Sequence, residues 1–277
     1  MSDDEQGKII DAEVVTPTEL VTTQPGGRVI AYRPSVLKAV EGYLREGFGR
    51  PHPIPRGEKG PRVKGWNDPN TKYDLAAWDE GDNVGTALVG DLVDVDLDCA
   101  EAVACARDFL PPTDRIHGNE RKPDSHWWYR CVGLDLHQFK DIPRPDPENP
   151  GKLKVEMLCE LRAGGGGRQT MLPPSIHPKG YPVLWSCDRE PGQPEGKILW
   201  RAVTFVATVS LMARAWPSGN RHYAALHLTG FLCARKVDDE IILKIVKWIT
   251  ALAHDDEQED RLTAARTTIA EFKGGAK

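Results

Sequence analysis

The sequence lacks the short motifs that mark several common classes of protein. Its six cysteines form no Cys-x-x-Cys pair, so a zinc knuckle is not expected and we predict no zinc. It contains no GxxxxGK[ST] loop, which excludes a P-loop ATPase from these residues. No apolar run reaches the roughly 18 residues that a membrane span requires, so we expect no membrane partner.

A secretory signal is also missing from the N-terminus. Because nothing directs the chain to an oxidising compartment, we interpret its thiols as reduced and expect a cytoplasmic protein. The cysteines are widely spread, at Cys99, Cys105, Cys131, Cys159, Cys187 and Cys233.

An excess of positive charge is missing as well, since the formal net charge is -5. That balance by itself argues against a nucleic-acid partner. The distribution of charge argues the other way, because residues 1–27 contain six acidic residues and one Lys, whereas residues 28–72 contain ten Lys or Arg and four acidic residues. Residues 28–72, called here the basic segment, are therefore a candidate contact for a nucleic-acid backbone.

Residues 1–30 show no periodicity and contain Pro, Thr and Gly, which predicts an acidic, disordered tail. Apolar spacing predicts a helix over 33–47 that ends at Gly47. A loop rich in Pro and Gly is predicted at 51–66, and a short helix at 73–79.

Strand patterns begin at residue 83. Segments 84–89 and 92–97 flank Gly90-Asp91 and predict a hairpin, and a helix is predicted at 101–110. Four glycines that can turn at positive φ separate the last two of the remaining strands. Those strands are predicted at 125–132, 155–161 and 169–172.

After residue 200 the strand patterns stop and a 3.6-residue apolar period predicts helices. The helices are predicted at 202–214, 222–234, 239–253 and 257–272. We therefore predict an α+β protein: a tail at 1–30, a domain with a mixed sheet at 31–200, and an all-α helical bundle at 201–277.

The most informative segment is Leu92-Val-Asp-Val-Asp-Leu-Asp98. Alternate side chains on a strand share a face, which puts Asp94, Asp96 and Asp98 together. Carboxylates this close raise one another's pKa unless a cation neutralises them. Mg²⁺ or Mn²⁺ prefers oxygen ligands, and two such ions can clamp a transferring phosphoryl group. The alternative is a solvated acidic face of an edge strand.

Two cations and a histidine follow in Arg121-Lys-Pro-Asp-Ser-His126. Arg121 or Lys122 can bind a phosphate, and His126 can donate a hydrogen bond to one. Adjacent side chains on a strand point to opposite faces, so Ser125 and His126 are not expected to form a nucleophile–base pair. The alternative is a structural, hydrogen-bonding His126.

The third segment starts at Cys159-Glu-Leu-Arg, continues through four glycines, and ends in Pro-Pro-Ser-Ile-His177. Glu160 can supply a further metal ligand or a base. Arg168 follows the glycines, where the backbone can approach a ligand closely. The alternative is a plain hairpin.

Three features follow one another along the chain: the acidic strand, the Ser-His pair, and an acidic residue that precedes a glycine turn and Pro-Pro-Ser-x-His-Pro. Together, in this order, they resemble one family. It is the bifunctional DNA primase/polymerase (prim-pol) domain of the archaeo-eukaryotic primase superfamily. Residues 55–66 resemble the family's N-terminal Lys-x-Pro…Lys-Gly-Trp segment, and residues 218–232 resemble a helix of the bundle that follows it in phage and plasmid replication proteins.

The resemblance implies a modified sheet like that of RNA-recognition motifs, with a smaller N-terminal α/β unit. It implies that Asp96, Asp98 and Glu160 are metal ligands, with Asp94 as an alternative. Many relatives have Asp where this chain has Glu160. Residues matching or proposed as nucleotide-phosphate contacts are Ser125, His126, Arg121, Lys122, Arg168 and Lys64.

The activity implied is metal-dependent joining of nucleoside triphosphates on a single-stranded DNA template, in phage- or plasmid-type replication within a bacterial host. The basic segment would contact the template, and Trp66 would either stack a base or pack in the core. A helicase domain is expected to follow the bundle. The alternatives are a non-catalytic module for replication initiation or helicase docking, and a metal-dependent phosphatase or nuclease, which leaves Pro-Pro-Ser-x-His unexplained.

Overall fold

The computed structural model describes residues 35–62, 64–164 and 167–275, so the predicted acidic tail lies outside the described residues. The helices are α1 (Val36–Glu46), α2 (Ala100–Phe109), α3 (Gly196–Arg214), α4 (Arg221–Ala234), α5 (Asp239–Leu252) and α6 (Gln258–Lys273). The strands are β1 (Arg50–Ile54), β2 (Asn83–Ala87), β3 (Leu92–Leu97), β4 (Arg115–Asn119), β5 (Lys122–Arg130), β6 (His137–Lys140), β7 (Arg144–Pro145), β8 (Leu153–Lys154), β9 (Met157–Arg162), β10 (Gln169–Leu172) and β11 (Val183–Asp188).

The first predicted helix is confirmed as α1, and local chemistry sets both of its ends. The Ser35 hydroxyl accepts a hydrogen bond from the backbone N–H of Lys38 at 3.4 Å. Gly47 ends the helix at a φ of 61°, a left-handed conformation that glycine adopts without a steric penalty. The short helix predicted at 73–79 is a 3₁₀ turn at Leu75–Ala77.

The described residues form two main sheets and a separate two-stranded pair of β7 with β8. The smaller of the two main sheets has three strands in the order β1-β2-β10. Strand β1 lies largely within the predicted loop and contains Pro51 and Pro53. The loop prediction was wrong for these residues, because proline is tolerated in an edge strand, where its missing N–H leaves no neighbour unpaired, and β1 is an edge strand.

The larger sheet has six strands in the order β11-β4-β5-β3-β9-β6. Neighbouring strands in it pair antiparallel, and an isolated parallel bridge joins Tyr129 to Gly192. The predicted hairpin of β2 with β3 is wrong, because β2 pairs in the smaller sheet while β3 pairs with β5 and β9. Strands β9 and β10 also belong to different sheets, which rules out the plain hairpin around the glycines.

Strand β3 separates two packed regions. Its residues Val93, Val95 and Leu97 are buried in the main core, together with side chains of α2 and α3. On the opposite face, Leu92 packs with Trp128, α1 and residues of the smaller sheet in a second core. Asp94 and Asp96 lie on that second face, so the acidic side chains are directed toward the smaller sheet.

The C-terminal region is helical, which confirms the predicted α+β class. Helix α3 begins at Gly196, before the predicted domain boundary, and packs against α2, β9 and α5. Its last residue, Arg214, joins the helix to carboxylates of α2 and of the β6–β9 region. Those carboxylates are Glu101 at 2.9 Å, Asp141 at 3.0 Å and Glu156 at 3.1 Å.

By length and composition alone, α3 could cross a membrane. Core helices pass the same test, and Leu199, Val203 and Val206 of this helix are fully buried in the main core. The packing therefore accounts for its apolar character.

Candidate active site

A straight row of polar side chains crosses the larger sheet on the face directed toward the smaller one. In the strand register, His117 lies opposite His126, His126 opposite Asp96, Asp96 opposite Glu160, and Glu160 opposite Gln138. Residues opposite each other on neighbouring strands share a face and lie close together. Five strands thus bring together side chains that lie between residues 96 and 160 of the sequence.

Three of the predicted metal ligands meet at this row. Asp96, Asp98 and Glu160 each offer a carboxylate oxygen, and these oxygens lie within 4.8 Å of one another. Asp96 is 4% and Glu160 5% exposed. Like charges placed directly opposite on a sheet repel each other, so positive charge is needed nearby.

Arg162, which no sequence motif had indicated, supplies part of that charge. Its Nη2 lies 2.5 Å from both Asp96 Oδ2 and Glu160 Oε2, and its Nε donates to Glu160 Oε2 at 2.8 Å. Burial disfavours the charged guanidinium, but Asp96, Asp94 and Glu160 outweigh burial and raise the pKa of Arg162. Residues two positions apart on a strand share a face, so the sequence could have indicated that Arg162 lies beside Glu160.

Asp94 lies beside the cluster and holds His126. Its carboxylate accepts hydrogen bonds from the Thr170 hydroxyl at 2.6 Å and from Nδ1 of His126 at 3.0 Å. Nη1 of Arg162 is 3.6 Å away. Burial alone would raise the pKa of Asp94, but the charges of His126 and Arg162 outweigh it and lower that pKa to about 2. The structure thus places the alternative ligand as the group that orients His126.

The His126 ring is fixed by a second histidine, His117, which no sequence motif had indicated. It stacks on His117 with 4.4 Å between centroids and 7° between planes. Trp128 Nε1–H donates to Nδ1 of His117 at 2.9 Å, which puts the His117 proton on Nε2. Nothing in the isolated segment around His117 suggested a role, because the ring joins the site only through strand pairing.

The surroundings shift the pKa values of the two stacked rings in opposite directions. Burial and the neighbouring charge of His126 lower the pKa of His117 well below its ordinary value. Burial also disfavours a charged His126, but Asp96 and Asp94 outweigh it and raise the pKa of His126. The His126 Nε2 lies 3.7 Å from Asp96 Oδ1, so an imidazole with a raised pKa lies next to the carboxylates.

Lys122 binds the carboxylates from the other side. Its Nζ lies 3.0 Å from Asp98 Oδ1 and 4.0 Å from Asp96 Oδ1. Burial and the charge of Asp96 raise the pKa of Asp98, and Lys122 opposes that rise. The predicted phosphate contact is therefore a direct partner of the acidic cluster.

The row opens onto a cavity of about 300 Å³. Strand β10 of the smaller sheet contributes Thr170 and Met171 to its lining, so the cavity lies between the two sheets. Lys59 of the basic segment and His177 of the Pro-Pro-Ser-Ile-His motif also line it. These two cationic or proton-donating side chains were not assigned roles from the sequence.

Ser125 lies on the wrong face for the phosphate contact that the resemblance implied. Its neighbour His126 lines the cavity, and successive side chains on a strand point to opposite sides. Ser125 is 1% exposed, and its hydroxyl has no hydrogen-bond partner among the described residues. The structure therefore places this side chain within the interior, away from the cavity.

Three further predicted phosphate contacts also lie outside the lining of the cavity. The Arg121 guanidinium lies over the ring of Tyr181, 5.3 Å from its centroid, and donates to the Tyr181 hydroxyl at 3.0 Å. Arg168 and Lys64 are exposed. Their positions in loops, which the sequence could not fix, account for the difference.

The cluster fits a hard divalent cation. Carboxylate oxygens are the ligands that Mg²⁺ and Mn²⁺ prefer. Oδ1 of Asp96 is buried and has no hydrogen-bond partner among the described residues, although Oδ2 is bound by Arg162. Leaving a buried acceptor unsatisfied costs about 1–3 kcal/mol, and a cation at the triad would satisfy it.

A comparison with known families bears on this site. The family model described as "Bifunctional DNA primase/polymerase, N-terminal" matches residues 41–195, more than half of the chain. The matched span runs from within α1 to the residue before α3 and includes every side chain of the row. No curated protein and no solved structure matched the chain.

Proposed function

Because the chain belongs to the bifunctional DNA primase/polymerase family, we propose that it joins nucleoside triphosphates on a single-stranded DNA template in the cavity between its two sheets. The observation that carries the proposal is the cluster of Asp96, Asp98 and Glu160 next to His126, whose pKa Asp96 and Asp94 raise despite its burial. Phosphoryl-transfer sites combine these two elements, since one holds cations and the other binds phosphate.

Asp96, Asp98 and Glu160 are the proposed ligands for two Mg²⁺ or Mn²⁺ ions. When bound, such ions supply the Lewis acidity that activates a primer 3′-hydroxyl and stabilises the pyrophosphate leaving group. Asp94 is not proposed as a ligand, because the carboxylate oxygens that lie within 4.8 Å of one another belong to Asp96, Asp98 and Glu160, while Asp94 pairs with His126 and Thr170.

His126 is the proposed contact for the triphosphate. Nδ1–H donates to Asp94, so the protonated imidazole has its second N–H, on Nε2, available to donate to a phosphate oxygen. Stacking on His117 fixes the ring before the substrate arrives, and preorganised charge of this kind lowers the barrier for phosphoryl transfer. Lys59 and His177 face the same cavity and are proposed as further phosphate contacts.

We also propose the basic segment as the contact for the template backbone. Its exposed side chains can bind phosphates, and Trp66, which packs against His52 with 5.1 Å between ring centroids, keeps part of its surface free for a base. The exposed cations of its described part include Arg56, Lys59, Lys64 and Lys72. Phage- or plasmid-type replication, a helicase partner and a cytoplasmic location stay predictions of the sequence.

An incorporation assay tests the proposal. The protein would receive single-stranded DNA with and without a primer, labelled dNTPs or NTPs, and Mg²⁺ or Mn²⁺. Asp96→Asn and Asp98→Asn keep the side-chain shape and remove one charge each. Asp91→Asn is the matched control, because Asp91 is a 43% exposed carboxylate that pairs with Arg130 outside the cluster.

We expect metal-dependent products from the wild type and from Asp91→Asn. Both cluster variants should lose at least about 100-fold in rate, the usual effect of removing a group that stabilises transition-state charge. Equal rates in all variants would refute the assignment of the site. Single-stranded DNA binding without products from the wild type would favour the non-catalytic initiation or docking module instead.

A further inference from the structure

The guanidinium of Arg162 occupies ligand atoms of the proposed cation site. Glu160 Oε2 receives two of its N–H groups, and Asp96 Oδ2 receives a third contact at 2.5 Å. The other oxygen of Glu160 accepts from Gln138 at 2.5 Å. Glu160 Oε1 keeps one lone pair and Asp96 Oδ1 has no hydrogen-bond partner among the described residues, so a cation held by these oxygens would share both carboxylates with the guanidinium.

Arg162 also has partners that do not belong to the triad. Its Nη1 lies 3.3 Å from the Thr170 hydroxyl and 3.6 Å from Asp94. The side chain lines the cavity and is 18% exposed, so it is not enclosed in a core. The guanidinium can thus release Asp96 and Glu160 while Asp94 and Thr170 still hold its other end.

Electrostatics makes the two occupants competitors. The guanidinium and a divalent cation would stand within a few ångströms of the same two carboxylates, and two positive charges at such a distance repel strongly in a partly buried site. An anion that entered the cavity would relieve that repulsion, because it can bind the released guanidinium and the cation together.

We propose that Arg162 is an internal counter-ion that competes with the divalent cation for Asp96 and Glu160. It keeps the cation-free cluster neutralised and lowers its affinity for the ion. A polyphosphate then takes up the released guanidinium, so that ion and triphosphate bind cooperatively. The inference rests on the proposed function only in placing the cation at the triad, and Arg162 is a positioning residue in this scheme.

The test measures Mn²⁺ binding to the full chain, without nucleotide or DNA, by calorimetry or by the electron paramagnetic resonance of free Mn²⁺. Arg162→Gln removes the competing charge, and Arg162→Lys keeps it. Arg130→Gln is the matched control, since Arg130 is an arginine of β5 that pairs with Asp91 at 2.9 Å. We expect Arg162→Gln to bind Mn²⁺ at least about tenfold more tightly than the wild type. Arg130→Gln and Arg162→Lys should stay close to the wild type.

A merely structural role predicts the opposite sign. If Arg162 only held the cluster together, Arg162→Gln would bind Mn²⁺ more weakly or equally, and that result would overturn the competition. Thermal unfolding checks that Arg162→Gln is folded. In the same experiment, Mn²⁺ should raise the melting temperature of Arg162→Gln more than that of the wild type.

Two further measurements complete the test. With Mn²⁺ saturating, inorganic tripolyphosphate should bind the wild type more tightly than Arg162→Gln, and equal affinities would overturn the cooperative part. Asp96→Asn separates the two proposals. Mn²⁺ binding that Asp96→Asn leaves unchanged would overturn the cation site itself, whereas binding that it abolishes but Arg162→Gln leaves unchanged would overturn the competition alone.

Discussion

Replacing Asp94 with Asn removes one charge from the interior while keeping the shape of the side chain. Asp94 is fully buried and accepts hydrogen bonds from Thr170 and His126. The carbonyl oxygen of Asn can still accept from one of these donors. The charge that pairs with His126 and Arg162 is lost, so the variant isolates the electrostatic part of the interaction.

The magnitude follows from the pKa of Asp94. The folded protein lowers this pKa from 3.8 to about 2. Since one pKa unit corresponds to about 1.4 kcal/mol, the ionised carboxylate stabilises the fold by about 2–3 kcal/mol. Because the folded pKa lies below the unfolded one, this contribution is present above pH 4 or so and is lost as the pH falls through 2.

Urea unfolding at pH 7 checks the magnitude. We expect Asp94→Asn to lower the free energy of unfolding by about 2–4 kcal/mol, because a buried charged partner is left uncompensated. Asp91→Asn serves as the control, and loss of its exposed ion pair with Arg130 should cost less than about 1 kcal/mol.

The pKa of His126 provides a second, independent test of the Asp94→Asn prediction. Burial lowers the pKa of His126, while Asp96 and Asp94 raise it to a net value above 6.5. The stabilisation from its charged form is therefore present below pH 6.5 and lost as the pH rises through the folded pKa. In Asp94→Asn the His126 pKa, followed by NMR, should fall, and incorporation should recover as the pH is lowered. Stability equal to that of Asp91→Asn, with an unchanged His126 pKa, would refute the reasoning.

Two other substitutions test the surroundings of the row. Trp128→Phe removes the donor to His117 Nδ1 in a fully buried position. It should lower the free energy of unfolding, measured in urea, by about 2–3 kcal/mol. A loss below about 1 kcal/mol would contradict the assigned hydrogen bond. Lys122→Met removes the cation 3.0 Å from Asp98, whose pKa burial and Asp96 already raise, so the acidic limb of the pH–rate profile should move to higher pH. Lys197→Met, at an exposed ion pair, should leave the profile unchanged.

Local patterns predicted the helices well. The four C-terminal helices and α1 were expected within a few residues of their observed bounds, apart from α3, which begins six residues earlier than its predicted start at 202. Their apolar periodicity and end signals lie within each segment. The same holds for β3, where the alternation of Val and Asp sets the two faces before any partner is known.

Strand pairing could not be predicted in the same way. The turn at Gly90 exists, with a φ of 67°, but β2 and β3 leave it for different sheets. Strand β1 was missed because two prolines concealed an edge position. Which strand becomes an edge depends on neighbours that are remote in the sequence.

The candidate site shows the same contrast between residues predicted from local patterns and residues placed by strand pairing. Asp96, Asp98 and Glu160 were predicted as a group, largely through the family resemblance, and the structure brings their oxygens together. Arg162 and His117 were missed, because each is an ordinary strand residue until its partner strands are known. Ser125 is the opposite case. The motif match implied that it lies in the site, whereas the alternation of strand β5 directs its side chain into the interior.

The sequence by itself determined which side chains of a strand share a face, which segments are helical, and which family the three acidic and histidine-bearing segments resemble. Only the tertiary structure decided that Asp96 stands between His126 and Glu160, and that Asp94 holds the histidine instead of joining the cluster. The physical reason is that alternation and helical period are set by neighbouring residues, whereas register is set by hydrogen bonds between strands that are distant along the chain.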